Sequence, residues 1–324
     1  MRGLCLLIIR PFLICLNLLK IRLVYLDESR IGHLFGDTLA LIANYDISNH
    51  FIIFPVEKPC SNFLVHKYNK QLKIINSKIL KILTAWLRNE SLVVLNMTNS
   101  LNYVYEKNII SREIVIKPIY TASEINYRNI FSISDELEAK KYIIDKYKIQ
   151  NKNFCFFNLR SLTHDKKKNK NHQFRNLNSS ESYLLIECLV KRNFHVVNAS
   201  DYFHKSENVI NLREYSDFDI DDIIKSVLGC EFYIGDSTGT SVMAQIAKKP
   251  SFLYNIFPTN FEITNDLTEA VYVTVVNEDK KVDTEQINTW QYSYQFEENN
   301  IHLKAIPFNE YEFKFNNWVE KFKA

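Results

Sequence analysis

Apolar residues in this chain gather in short runs, separated by stretches where they recur every three or four positions. The first pattern predicts buried strands and the second amphipathic helices. Strand-like runs fall at 21–27, 51–56, 72–75, 92–95 and 114–116, with helical stretches between several of them. Ser134 opens a helix over 134–147, on which Leu137, Ile143, Ile144 and Tyr147 share an apolar face. A polar segment, KIQNKN, precedes a clearer second alternation. It reads as strand 154–160, helix 179–191, strand 196–197, helix 219–227, strand 231–234, helix 241–248 and strand 251–255. Strands alternating with helices build parallel sheets, so the expected fold is α/β with two Rossmann-type parallel-sheet domains. Residues 21–149 form the first domain and 150–300 the second, flanked by helices at 1–20 and 301–324.

The opening stretch, MRGLCLLIIRPFLICLNLLKIRLVYLD, is the one membrane-like segment. Arg10 and Pro11 interrupt it, Asn17 and Lys20 follow, and no small-residue cleavage site appears. Its uninterrupted apolar length is short for a spanning helix, and it makes a poor signal peptide. One reading is an interfacial helix with Arg2, Arg10, Lys20 and Arg22 near lipid head groups, peripherally attached to the cytoplasmic face of the inner membrane. The other is a buried first helix feeding the strand at 21–27.

Composition narrows the class. At 324 residues with 46% hydrophobic and 24% charged residues, the chain is globular and large enough for two cores. A formal net charge of +3 does not call for nucleic acid, and HDKKKNKN (164–171) reads as a polar loop. Six cysteines form no CxxC pair and no His/Cys cluster, which argues against a disulfide framework or zinc site and fits a reducing cytoplasm.

Glycine is scarce, with six in the whole chain. Apart from Gly3 they fall in two windows: Gly32 and Gly36 after the first strand, and Gly229, Gly235 and Gly239 around a late one. Each window is a βα connection at the carboxyl end of a strand, where open α/β sheets place ligands. The later one, EFYIGDSTGTSVMAQIAKKPSFLYN, sets Asp236, Ser237, Thr238, Thr240 and Ser241 around the turn, with Thr240 or Ser241 as the expected N-cap. Free N–H groups at such a helix start suit a phosphate. A tight turn whose hydroxyls only cap the helix fits the same residues.

Three stretches resemble a family of bacterial glycosyltransferases of GT-B type known from surface-polysaccharide gene clusters. They are SRIGHL (29–34), FCFFNLR with HQFRNLNSSESYLLIECLVKRNFHVVN (172–198), and YSDFDIDDIIKSVLGCEFYIGDSTGTSVMAQIAKKPSFLYN (215–255). The chain departs from the family pattern at Asn193 and at Asn198-Ala199. The resemblance implies two domains facing across a cleft and metal-independent transfer of a hexose-like sugar. The donor would be a GDP- or UDP-linked sugar, used as substrate with no cofactor. The acceptor would be lipid-linked or a polysaccharide, of lipopolysaccharide or capsule type.

That chemistry needs a base for the acceptor hydroxyl and fixed donors for the departing diphosphate. His33, in the first βα loop, is the candidate base and Asp37 its rival; Arg30 and Gly32 complete the acceptor-side loop. Arg160, Arg175, Asn176, Asp236, Ser237, Thr238, Gly239 and Thr240 are the candidate donor-binding residues. Other roles fit some of them: His33 as a helix cap, Arg160 as an ion-pair partner of Asp236 or Asp201, Arg175 as a solvated side chain, and Tyr183 as core packing. Asp219, Asp221 and Asp222 read as a helix start, not a metal site. A sugar-nucleotide epimerase or hydrolase, and a non-catalytic glycan- or partner-binding protein, share this architecture.

Overall fold

The computed structural model describes residues 2–44, 47–88, 93–97, 104–107, 114–117, 127–150, 153–159, 179–236, 238–256, 267–272, 274–277, 280–281, 301–304 and 306–322. The chain forms two compact units, 1–131 and 132–324.

In the first unit α1 (Arg2–Leu18) leads into β1 (Ile21–Tyr25). α2 (Thr38–Asn44), β2 (Phe51–Val56), α3 (Asn62–Tyr68), β3 (Lys73–Asn76), α4 (Lys78–Trp86) and β4 (Val94–Asn96) follow. The sheet order is β3-β2-β1-β4, and every pairing is parallel. Ser61 and Ser77 start α3 and α4 by accepting the N–H of Leu64 and Leu80 through their hydroxyls. On one face Leu13 of α1 joins Leu23, Leu87, Val93 and Val94, with Leu16 and Trp86 packed beside them. Phe131 stacks on Phe35 and Tyr127 and meets the edge of Tyr68, whose hydroxyl donates to the Phe35 carbonyl. A separate antiparallel pair, β5 (Val104–Lys107) and β6 (Ile114–Lys117), also lies in this unit.

The second unit begins with α5 (Ile133–Tyr147), capped by Ser132 and Asp135, each bonding the other's backbone N–H. β7 (Cys155–Asn158), α6 (Ser179–Val190), β8 (Val196–Asn198), β9 (Val209–Asn211), α7 (Ile220–Gly229), β10 (Tyr233–Gly235), α8 (Gly239–Ile246), β11 (Ser251–Ile256) and β12 (Glu269–Tyr272) follow. They build a parallel sheet in the order β12-β11-β10-β7-β8-β9. β13 (Thr274–Asn277), β14 (Lys280–Lys281) and β15 (Ile301–Lys304) form a small antiparallel sheet, and α9 (Phe308–Val319) follows, with a 3-10 turn at Glu320–Phe322 after it. The tail expected as a helix over 301–324 thus holds a strand before its helix.

α5 packs on α7. Lys146 Nζ lies 2.9 Å from Asp222 Oδ2, the Tyr147 hydroxyl donates to the same oxygen at 2.8 Å, and Asp222 is fully buried. A Cβ on Gly229 of α7 would sit 2.6 Å from Lys140 Cα, so only glycine admits this approach. Against the sheet, Tyr311, Phe315 and Trp318 of α9 enter a core with Phe232, Ile234, Phe252 and Tyr254. No described glycine has positive φ, so left-handed backbone accounts for none of them; close approach accounts for Gly229 and Gly235.

Candidate functional site

The first candidate loop leaves β1 at its carboxyl end. Asp27 Oδ1 accepts both the N–H and the hydroxyl of Ser29, closing a turn that starts the next helix. Burial pushes the Asp27 carboxyl up, but the Ser29 bonds and the charges of His33 and Arg30 outweigh it and hold it below its ordinary value. Glu28, buried, pairs with Lys81 of α4 and accepts the Glu57 N–H at 3.1 Å, tying the loop to α4 and to the segment after β2. The helix then widens to a π-turn over His33–Asp37 before α2. π-turns concentrate at functional positions.

Across this turn His33 Nδ1 meets Asp37 Oδ2 at 2.8 Å. The side chain of His33 is 18% exposed and that of Asp37 2%. A carboxylate only accepts, so Nδ1 carries the proton of this bond; in the neutral imidazole Nε2 then holds the lone pair, the form a general base needs. The two candidates of this loop, set against each other as alternatives by the sequence, are thus hydrogen-bonded to one another. Gly32 has ordinary helical dihedrals, and Arg30 is exposed at the start of the turn.

The second candidate loop follows β10. A Cβ on Gly235 would lie 2.1 Å from the Tyr233 hydroxyl and 2.6 Å from the Asn158 carbonyl oxygen. Close approach explains this glycine. Thr238, rather than Thr240 or Ser241, is the N-cap, and α8 starts at Gly239, two positions earlier than the sequence pattern predicts. The Thr238 N–H donates to Ser241 Oγ at 3.0 Å, and that hydroxyl donates back to the Thr238 carbonyl at 2.7 Å.

Thr240 is buried, and three side chains converge on its hydroxyl. Asn158 Nδ2 donates at 2.7 Å, Tyr233 Oη lies at 3.0 Å and Thr238 Oγ1 at 2.7 Å. The Thr240 side chain thus holds the start of α8 to β7 and β10. Asp236 is fully buried at the end of β10. Burial, reinforced by the Asp236 carboxylate, pushes the phenols of Tyr233 and Tyr254 up, so both remain hydroxyl donors at neutral pH.

Arg160, Arg175, Asn176 and Ser237 lie outside the described residues. Asp201, one partner considered for Arg160, is 3.1 Å from Arg213. Tyr183, expected in the core, is exposed on α6, where it stacks on buried His204 at 4.4 Å; its position on that helix faces a loop, not the sheet. Asp219 and Asp222 form the expected helix start, each side chain accepting the other's backbone N–H. Asn158 and Tyr233 were not anticipated. Only the strand-end position of Asn158 was visible beforehand.

No family model matches the sequence, and no curated protein matches it. Two of the solved structures that share its architecture are named for glycosyl transfer. One is a glycosyl transferase family 9 protein from Veillonella parvula DSM 2008, 9% identical, TM-score 0.54, covering 93% of this chain and 97% of that one. The other is the E. coli ADP-heptose LPS heptosyltransferase II, 11% identical, TM-score 0.54, covering 94% and 100%. The chain has the fold of these transferases. At such identities the likeness speaks of architecture: α/β, with two all-parallel sheets and a C-terminal helix. Both candidate loops leave the carboxyl ends of strands in those sheets, the position at which open α/β sheets bind ligands.

Proposed function

We propose that this protein is a glycosyltransferase that moves a sugar from a nucleoside-diphosphate donor to a hydroxyl of a surface-glycan or lipid-linked acceptor. The observation that carries the reading is the His33–Asp37 pair, an oriented imidazole at the end of the first strand of a parallel sheet. In the proposed reaction His33 Nε2 takes the acceptor's hydroxyl proton while the acceptor oxygen bonds to the anomeric carbon. The bond from that carbon to the diphosphate oxygen breaks, and the electron pair leaves with the nucleoside diphosphate.

The N–H groups of Gly239 and Thr240 at the start of α8, with Ser237 and the guanidinium of Arg160, receive that charge. Arg175 and Asn176 contact the donor, Asp236 braces the loop, and Arg30 and Gly32 border the acceptor. Asp219 and Asp222 are committed to a helix cap and an ion pair, so the proposed transfer uses no metal from that stretch. GDP- and UDP-sugars are the donors to try first, and ADP-sugars join them because one structural neighbour is named for ADP-heptose. The proposed location is the cytoplasmic face of the inner membrane, with peripheral attachment.

The test incubates the purified chain with GDP-, UDP- and ADP-linked sugars, with and without lipid-linked acceptors from a membrane fraction. Product that forms only with acceptor supports the reading. Epimerised or hydrolysed donor in the absence of acceptor replaces transfer with the neighbouring activity. Binding without turnover across the panel makes the chain a binding protein.

A further inference from the structure

We infer that α1 and α4 together form the face by which the first unit docks on an anionic lipid bilayer. The two helices share one core cluster through Leu13 and Leu16 of α1 and Trp86 and Leu87 at the end of α4, so they flank the same face of the sheet. Their outward sides are apolar where a water-facing helix would be polar. Ile79, Ile82 and Leu83 of α4 are 82%, 57% and 39% exposed, and their spacing puts them on one stripe. On and just after α1, Phe12, Leu18 and Leu19 are exposed as well. Phe51 extends the surface, since its N–H bonds the Lys20 carbonyl at 2.9 Å and its ring is more than half exposed.

Charge commits this face to one occupant. Residues 1–26 and 58–89, which contain α1, α3 and α4, hold eleven Lys and Arg and not one Asp or Glu. The rest of the chain has 29 Lys and Arg against 37 Asp and Glu, so the net charge of +3 conceals a strongly basic part. Arg10, Lys20, Lys58, Lys70, Lys73 and Arg88 are exposed. Lys78 is exposed with a carboxylate of Glu57 3.8 Å away, and Lys81 is taken up by Glu28. An apolar stripe on a part of the chain where cations outnumber anions, with Glu57 and Glu28 as the carboxylates beside Lys78 and Lys81, matches acyl chains beneath anionic head groups. The proposed membrane attachment thereby extends from a single N-terminal helix to two helices.

The test is sedimentation of the full chain with vesicles of phosphatidylglycerol and phosphatidylethanolamine, compared with phosphatidylcholine alone. Wild type is expected to bind the anionic vesicles, and to be released by salt. Ile79→Glu with Ile82→Glu, at solvent-facing positions, should lower binding about tenfold or more with unchanged circular dichroism. Leu18→Glu with Leu19→Glu should do the same from the other helix. Equal binding by the α4 variant overturns the role of α4, and equal binding to phosphatidylcholine overturns the charge argument. Wild type that ignores vesicles but is dimeric in light scattering, and that the same substitutions make monomeric, shows a protein interface and overturns the proposal. The inference rests on the proposed function only for its purpose: vesicle binding is read without donor or acceptor, so either idea can fail while the other stands.

Discussion

His33 Nδ1 and Asp37 Oδ2 stand 2.8 Å apart across one turn of π-helix, the imidazole reaching solvent and the carboxylate buried beneath it. If the imidazole is the base, His33→Ala should lower turnover by about a hundredfold or more. Asp37→Asn keeps the shape but favours the wrong tautomer, so it should also lower turnover, with His33 still in place. Donor affinity, measured by calorimetry with nucleoside diphosphate, should hardly change in either variant. An Asp37→Asn loss far larger than that of His33→Ala would make the carboxylate the base.

Substitutions in the later loop should produce the opposite signature. Gly239 is the first residue of α8, and Gly239→Val places a branched side chain where the proposed diphosphate lies against the backbone. Titration should show loss of nucleoside-diphosphate binding by a folded protein. If Arg160 holds the diphosphate as proposed, Arg160→Ala should both weaken binding and slow transfer, through the ground state and the leaving group. Unchanged affinity in both variants would remove the donor site from this loop.

Gly235→Ala tests packing alone. The new methyl would press on the Tyr233 hydroxyl and on the Asn158 carbonyl, and the expected cost is about 1–3 kcal/mol in denaturant unfolding. Tyr233→Phe in the same chain removes the nearest atom, the oxygen at 2.1 Å, but keeps Cζ at 2.5 Å, so it should restore a small part of the loss. No partial rescue would mean that the strain lies elsewhere.

The Asp222 pair gives the pH prediction. Burial pushes this carboxyl up, but the bonds from Lys146, the Asp219 N–H and Tyr147 overcome it, and its pKa falls below the ordinary 3.8. The stabilisation is therefore present above that value and lost as pH falls through the lower, folded-state value. Asp222→Asn should flatten the acid limb of stability against pH. Asp222→Ala, which strands Lys146 and Tyr147, should cost about 3 kcal/mol at neutral pH. An acid limb unchanged in Asp222→Asn would assign acid sensitivity to other carboxylates.

That both large sheets are parallel was legible because strands and helices alternate and the buried strands are nearly all apolar; their strand order was not. Boundaries were less so. Ser237, Thr238, Thr240 and Ser241 are all able to cap, so the pattern does not say which residue starts α8. His33 and Asp37 were visible at a spacing of four, but spacing alone does not distinguish competitors from partners; the 2.8 Å contact does. Asn158 was missed because its partner Thr240 is 82 residues away, and the bond exists only once β7 and β10 are neighbours. The pairing of β13 with β15 was unreadable for the same reason, with long intervening sequence between two short strands.

The three side chains around the Thr240 hydroxyl have a consequence for binding thermodynamics. Thr240, pinned to two strands and to the cap residue Thr238, has little motion left to lose, so in the proposed site a phosphate would meet its N–H already in position. Affinity at the loop then depends on the contacts themselves, with a small entropic penalty for ordering. Thr240→Val would retain the shape yet loosen Asn158, Tyr233 and Thr238 together, and the penalty would reappear as a less favourable binding entropy.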